Sequence, residues 1–194
     1  MRALAAWVAG MGILSIGGAC RHAEVSKPQV DASAASYYPL AVGNQWVYQT
    51  SLLGEQKEQT VEVLREENGY YLDSQGGELA ADAFGIRDRK RYLLRDPLEA
   101  GKGWTNVVSV SSVEHYRIID ITPCQVPAGR FESCVRVESR NRIDAKTSLV
   151  NELTFARGVG IARLDVFAEV DGRRIPQTSL LLHRYRVQLP TSGR

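Results

Sequence analysis

Gly160-Ile161-Ala162-Arg163-Leu164-Asp165-Val166-Phe167-Ala168-Glu169-Val170 runs into Asp171-Gly172, and a second apolar-rich run, Thr178 to Val187, follows. In the first run Arg163, Asp165 and Glu169 take every second place, broken only by the pair Val166-Phe167. A period of two is the signature of a strand with one buried face and one solvated face. Asp-Gly between two such runs is a hairpin signal, because both turn positions need a positive φ. The pattern therefore predicts two antiparallel strands that meet at Asp171-Gly172.

The same period extends outward through the chain. Strand candidates are Gln45 to Gln49, Thr60 to Leu64, Tyr70 to Leu72, Arg91 to Leu94, Val107 to Val110 and His115 to Ile121. Phe131 to Glu138 and Ser148 to Phe155 complete the set before the quoted pair. No stretch after residue 36 carries a helical stripe; Glu78 to Ala83 is the one place where a single helical turn is expected. The expected fold is all-β, with about ten antiparallel strands joined by short turns. A flat sheet of that size leaves exposed edges, so it must curl. A strongly curved sheet or partial barrel is the first expectation, and a β-sandwich is the alternative.

Two stretches repeat. Pro39-Leu40-Ala41-Val42-Gly43-Asn44-Gln45-Trp46 and Pro97-Leu98-Glu99-Ala100-Gly101-Lys102-Gly103-Trp104 share the pattern P-L-x-x-G-x-x-W. Proline fixes the backbone ahead of the turn, glycine permits the bend, and tryptophan starts a strand with a large buried ring. The repeat suggests two similar sheet corners and a duplicated half-domain. Trp46 and Trp104 are read first as core anchors, with the lining of a ligand cavity as the alternative.

The N-terminus has a different character. Arg2 precedes an apolar run from Ala3 to Ile16, which is too short to span a bilayer. Small residues Gly17-Gly18-Ala19 then lead to Cys20, in the manner of a secretory signal. This resembles the lipobox of bacterial lipoproteins, where a signal peptidase cuts before a cysteine whose thiol carries diacylglycerol. Gly18 and Ala19 match the lipobox; Gly17 departs from it, with Ile16 one place early. The resemblance implies residues 1–19 as signal peptide and Cys20 as the lipid attachment site. The alternative is an ordinary signal cut elsewhere, with Cys20 a free thiol. Arg21 follows Cys20 where enterobacterial lipoproteins retained at the inner membrane have Asp, so the resemblance favours the outer membrane. Residues 20–36 are small and polar and read as a lipidated cysteine on a flexible tether. A single β domain is expected over 37–190, with a tail at 191–194.

Charge and cysteine usage narrow the functional classes. The formal net charge is +2, and loss of Arg2 with the signal brings the exported chain nearer to neutral. That gives no electrostatic case for nucleic acid. Arg87, Arg89, Lys90 and Arg91 cluster, but Asp82, Asp88 and Asp96 lie close by, so a solvated turn is expected rather than an anion site. With Cys20 acylated, Cys124 and Cys134 remain as a pair in an oxidising compartment. They flank the turn Val126-Pro127-Ala128-Gly129, where antiparallel chain comes within disulfide reach. Two reduced, buried thiols are the alternative.

No catalytic or metal motif stands out. His22 lies in the tether, and His115 and His183 have no metal-ligand spacing to another histidine or cysteine. Gly158-Val159-Gly160 lacks the following helix that phosphate binding needs. No cofactor or metal is expected, and the chain reads as a non-enzyme.

Tyr38-Pro39-Leu40 with Gly43-Asn44 and Trp46-Val47-Tyr48, then Val126-Pro127-Ala128-Gly129 with Phe131, Cys134 and Val137, then Gly158-Val159-Gly160, occur in that order. In this the chain resembles a group of uncharacterised bacterial lipoproteins and secreted proteins, over Tyr37 to about Leu164. Such proteins are similar to curved-sheet, half-barrel envelope lipoproteins, some of which carry acyl chains on the concave side. The resemblance implies a membrane-anchored, non-enzymatic envelope protein that binds an apolar or lipid-like ligand on a concave sheet. An interaction or assembly module for another envelope protein is the alternative, and an enzyme of unknown class the second. The carriers usually place helices across the sheet mouth, of which this chain offers few, and no ligand residue carries over.

Overall fold

Each copy of P-L-x-x-G-x-x-W opens one half of the sheet, and the two copies fold alike. Asn44 N–H donates to Ala41 O and Lys102 N–H to Glu99 O, closing a turn whose third residue is Gly43 or Gly101, each at φ +86°. The same glycines then donate to Val63 O and Ile118 O, while Val63 N–H and Ile118 N–H return to Asn44 O and Lys102 O. That pattern is a G1 bulge, which needs a residue in the left-handed region at its first position. Two residues on, Trp46 and Trp104 begin strands with their rings in the core.

The structure is a computed structural model, and it describes residues 33–52 and 55–188. The chain divides into Met1–Val30 and Asp31–Arg194, and every described residue belongs to the second unit. The first half holds β1 (Gln45–Leu52), β2 (Glu55–Glu67), β3 (Tyr70–Asp73), β4 (Glu78–Asp82), β5 (Gly85–Arg87) and β6 (Tyr92–Arg95). The second holds β7 (Gly103–Ser109), β8 (Ser112–Val126), β9 (Gly129–Arg142), β10 (Thr147–Ala156), β11 (Gly160–Val170) and β12 (Arg173–Arg186). All twelve form one antiparallel sheet in the order β6-β5-β4-β3-β2-β1-β12-β11-β10-β9-β8-β7. Every strand thus pairs with its sequence neighbours, except that β6 and β7 are the two edges and β1 pairs with β12. The sheet curls into a nearly closed barrel rather than a sandwich.

Two of these strands were not expected from the sequence. Glu78–Asp82 is β4, not a helical turn. Tyr71 and Leu72 pair with it on one side, and Ile86 and Arg87 on the other. Hemmed by Gly76-Gly77 and Phe84-Gly85, the segment is too short to repay helix nucleation. The other addition, β5, has only three residues.

The interior is filled by the protein's own side chains. Trp46, Tyr37, Phe155, Ile118, Leu182 and Val137 are all fully buried there. Each contributes about 1.5–3 kcal/mol by leaving water. Ala34–Tyr37 forms a 3-10 turn that joins this core, so packed chain begins inside the stretch read as tether. In a 3-10 turn residues i and i+3 eclipse, which sends Ala34 and Tyr37 inward together. The turn ties the two halves. Ala34 N–H donates to the Asp96 carboxylate at 3.0 and 3.1 Å, after β6. Gly158 N–H donates to Ser36 O at 2.8 Å, and the Tyr37 hydroxyl meets Ser133 Oγ at 2.7 Å, both in the second half.

On the outer face of β9 to β12, charge replaces apolar packing. Arg140 donates to Glu138 (2.7 Å) and Glu169 (2.6 Å), and Arg174 reaches Glu138, Glu152 and Glu169. Burial works to raise the Glu138 carboxyl, but the Arg140 and Arg174 hydrogen bonds outweigh it and hold it below the usual range. Val150 lies beneath this lattice, opposite Arg140 and Phe167, and is fully buried.

If the repeated glycine is a shared backbone device, Gly43→Ala and Gly101→Ala each cost about 1–2 kcal/mol. At this size each kcal/mol lowers the melting temperature by about 2–4 °C. A loss at one site only, in thermal melts of both variants, contradicts the equivalence.

Candidate functional site

The break between β6 and β7 is built from the register of β7. Lys102 O accepts from Ile118 N–H, so the next residue, Gly103, faces Arg117 without hydrogen bonds. Antiparallel alternation then turns Trp104 and Asn106 toward β8 and aims the backbone groups of Gly103, Thr105 and Val107 at the free edge.

Side chains close part of this gap from the inner face. Tyr92 N–H donates to Asn106 Oδ1 at 3.0 Å, and Asn106 Nδ2 donates back to Tyr92 O at 3.1 Å. One amide side chain therefore does for Tyr92 what a paired strand residue would do. Trp104 Nε1 adds a third bond to Tyr92 O at 2.9 Å. Asn106 is 7% exposed and Trp104 8%, so these bonds are largely shielded from water.

Outside this closure the edges part into a cleft of about 520 Å³. Thr105, Asn106 and Val107 of β7 line one side. The β5–β6 turn, Asp88 to Arg91, lines the other with Asp82, Phe84, Arg87, Tyr92 and Arg95. Asp82 organises this wall. It accepts from Phe84 N–H (2.8 Å), Arg87 Nε (2.8 Å) and the Tyr92 hydroxyl (2.9 Å). Desolvation works to raise its carboxyl, and those three donors outweigh it, so Asp82 is held below the usual carboxylate range. Arg87 also donates to the Tyr70 hydroxyl, and Arg89 lies 3.9 Å over the Tyr70 ring.

The basic cluster is a turn, as its composition indicated. Asp88 Oδ1 accepts from Lys90 N–H (2.7 Å) and Arg91 N–H (2.8 Å), which fixes the turn locally. Arg89 pairs with Glu78, and Arg91 with Asp88 and Glu114. Among the described residues, no carboxylate pairs with Lys90 or Arg95. The Arg95 guanidinium instead lies 5.5 Å over the Tyr92 ring.

The residues singled out in the sequence fall apart in space. Cys20 and His22 lie outside the described residues. Trp46 is buried in the core with Nε1 donating to Val159 O at 2.6 Å. That bond explains Gly158-Val159-Gly160 as a turn against a ring, since a Cβ at Gly160 would meet Trp46 Nε1 at 3.2 Å. Trp104 stacks on Tyr116 and lines a smaller pocket of about 280 Å³ with Arg95 and Asp96. Cys124 and Cys134 are joined by a disulfide across β8 and β9, with Cα atoms 5.9 Å apart. Closing so short a loop contributes roughly 3 kcal/mol in a chain-entropy account. His115 is exposed on β8 beside Thr105, and His183 is exposed on β12. Tyr92 and Asn106 were not singled out, and Asp82 was read only as an acidic neighbour of the basic turn. Asn106 had one signal, a polar residue two places after Trp104 and hence on the inward face.

No protein-family model matches the chain, and no curated protein matches it. Two solved structures align with 77% of this chain and 98% of theirs. One is a Bacteroides fragilis NCTC 9343 protein described as exported and as having a YmcC-like fold, 13% identical at a TM-score of 0.48. The other is a Parabacteroides distasonis ATCC 8503 protein described as a lipoprotein, 11% identical at a TM-score of 0.42. Neither likeness bears on function.

Replacing Asn106 by Leu strips the Tyr92 N–H of its acceptor. The expected loss is about 1–3 kcal/mol in urea denaturation. Unchanged stability contradicts the closure described for Tyr92.

Proposed function

We propose that this chain is a lipid-anchored envelope protein that works by contact, not catalysis, through the cleft between β6 and β7. The observation that carries this reading is where free backbone and free charge coincide. The sheet is hydrogen-bonded from β6 round to β7, and the gap at its two edges is also where Lys90 and Arg95 stand without carboxylate partners among the described residues. The concave side is occupied by Trp46, Tyr37 and Phe155, which favours an interaction module over an apolar ligand held inside the sheet. The membrane attachment is Cys20, whose thiol takes diacylglycerol before residues 1–19 are removed, with the outer membrane as the destination. Two or three acyl chains anchor stably where one binds only marginally.

Cell fractionation and photocrosslinking test the two parts together. Cys20→Ser is expected to move the protein from membrane to soluble fractions. A photoreactive residue at Phe84 or Val107 is expected to give one discrete adduct, and the same residue at Lys57 on β2 none. Adducts absent at the cleft, or equal at Lys57, contradict the contact reading.

A further inference from the structure

We propose that the cleft takes one extended acidic segment of an envelope partner protein, added as a strand along the free edge of β7. This rests on the contact reading above and names the occupant.

An unpaired strand edge is a ready template for another chain, with main-chain bonds giving affinity and side chains giving choice. Gly103, Thr105 and Val107 present such an edge, for the register reason given above. Asn106 and Trp104 reach across to Tyr92 from the inner face, so they form a floor and leave the outer approach open.

Charge selects the occupant. Of the five basic side chains on the cleft wall, Arg87, Arg89 and Arg91 are neutralised by Asp82, Glu78, Asp88 and Glu114. Lys90 and Arg95 are left with no carboxylate partner among the described residues, on opposite ends of β6. An acidic segment pairs with both. β7 itself carries no charge, but a second copy paired to it brings its own Lys90 and Arg95 toward those of the first, which disfavours edge-to-edge self-pairing as the occupant. Phe84 and Val107 flank the cleft at 59% and 71% exposure, so apolar residues of the segment have surfaces to cover. Successive side chains of a strand alternate between faces, which fits a segment alternating acidic and apolar residues.

Selection from a displayed library of random twelve-residue segments, against the anchored full chain in detergent micelles, tests this. The segments enriched are expected to be net negative and free of proline over four or more consecutive residues. Lys90→Glu and Arg95→Glu are each expected to weaken the selected segments at least tenfold while leaving the melting temperature in place, and Lys90→Arg to retain binding. No enrichment, a neutral, basic or proline-rich pool, or affinity indifferent to charge reversal overturns the proposal. A discrete cellular adduct at Phe84 alongside a failed selection removes the acidic strand and leaves the contact reading standing. Absence of that adduct removes the contact reading itself.

Discussion

The pairing of β1 with β12 determines where this sheet opens. A meander of twelve strands would leave its first and last strands as edges. Here Gln45 meets Arg186 and Leu52 meets Thr178, so the two ends of the meander seal each other. The break moves to the middle of the sequence, between β6 and β7. The closure joins residues more than a hundred positions apart, which costs loop entropy that local hairpins do not. It is supported from inside by the Ala34–Tyr37 turn, which touches Asp96 from the first half and Ser133 and Gly158 from the second.

The two halves begin with the same turn and bulge, yet their far ends differ. The last strand of the second half, β12, runs for fourteen residues and finds a partner in β1. The last strand of the first half, β6, has four residues, and on its side away from β5 it finds, among the described residues, the Asn106 and Trp104 side chains in place of a strand. That asymmetry makes one closed seam and one cleft from a repeated plan. With the core solidly packed, the chemistry left over lies outside, where arginines are mostly neutralised by carboxylates. Glu138, Glu152 and Glu169 pair with Arg140 and Arg174, whereas no carboxylate among the described residues pairs with Lys90 or Arg95 at the cleft.

The long strands were legible because period two and turn chemistry agree. Gly160–Val170 became β11, and Asp171 and Gly172 both take positive φ as their hairpin requires. The repeated tryptophans marked the two corners because the turn, the bulge and the buried ring are all local. The short strands β4 and β5 were not legible, since five and three residues are too few to show a period. The candidate site was legible only in part. The basic turn at Arg87 to Arg91 could be read, but its setting could not. What makes it a cleft is a side chain fourteen residues from Tyr92 replacing a strand, and no spacing rule encodes that contact. Asn106 on the inward face beside Trp104 was the one trace of it.

Amide hydrogen exchange along β7 in the free protein tests the broken ring most directly. The account predicts alternation: slow exchange at Trp104 and Asn106, which bond β8, and fast exchange at Gly103, Thr105 and Val107, which face the gap. Uniformly slow exchange from Gly103 to Val107 would mean that β7 is paired on both sides, and the account would be wrong.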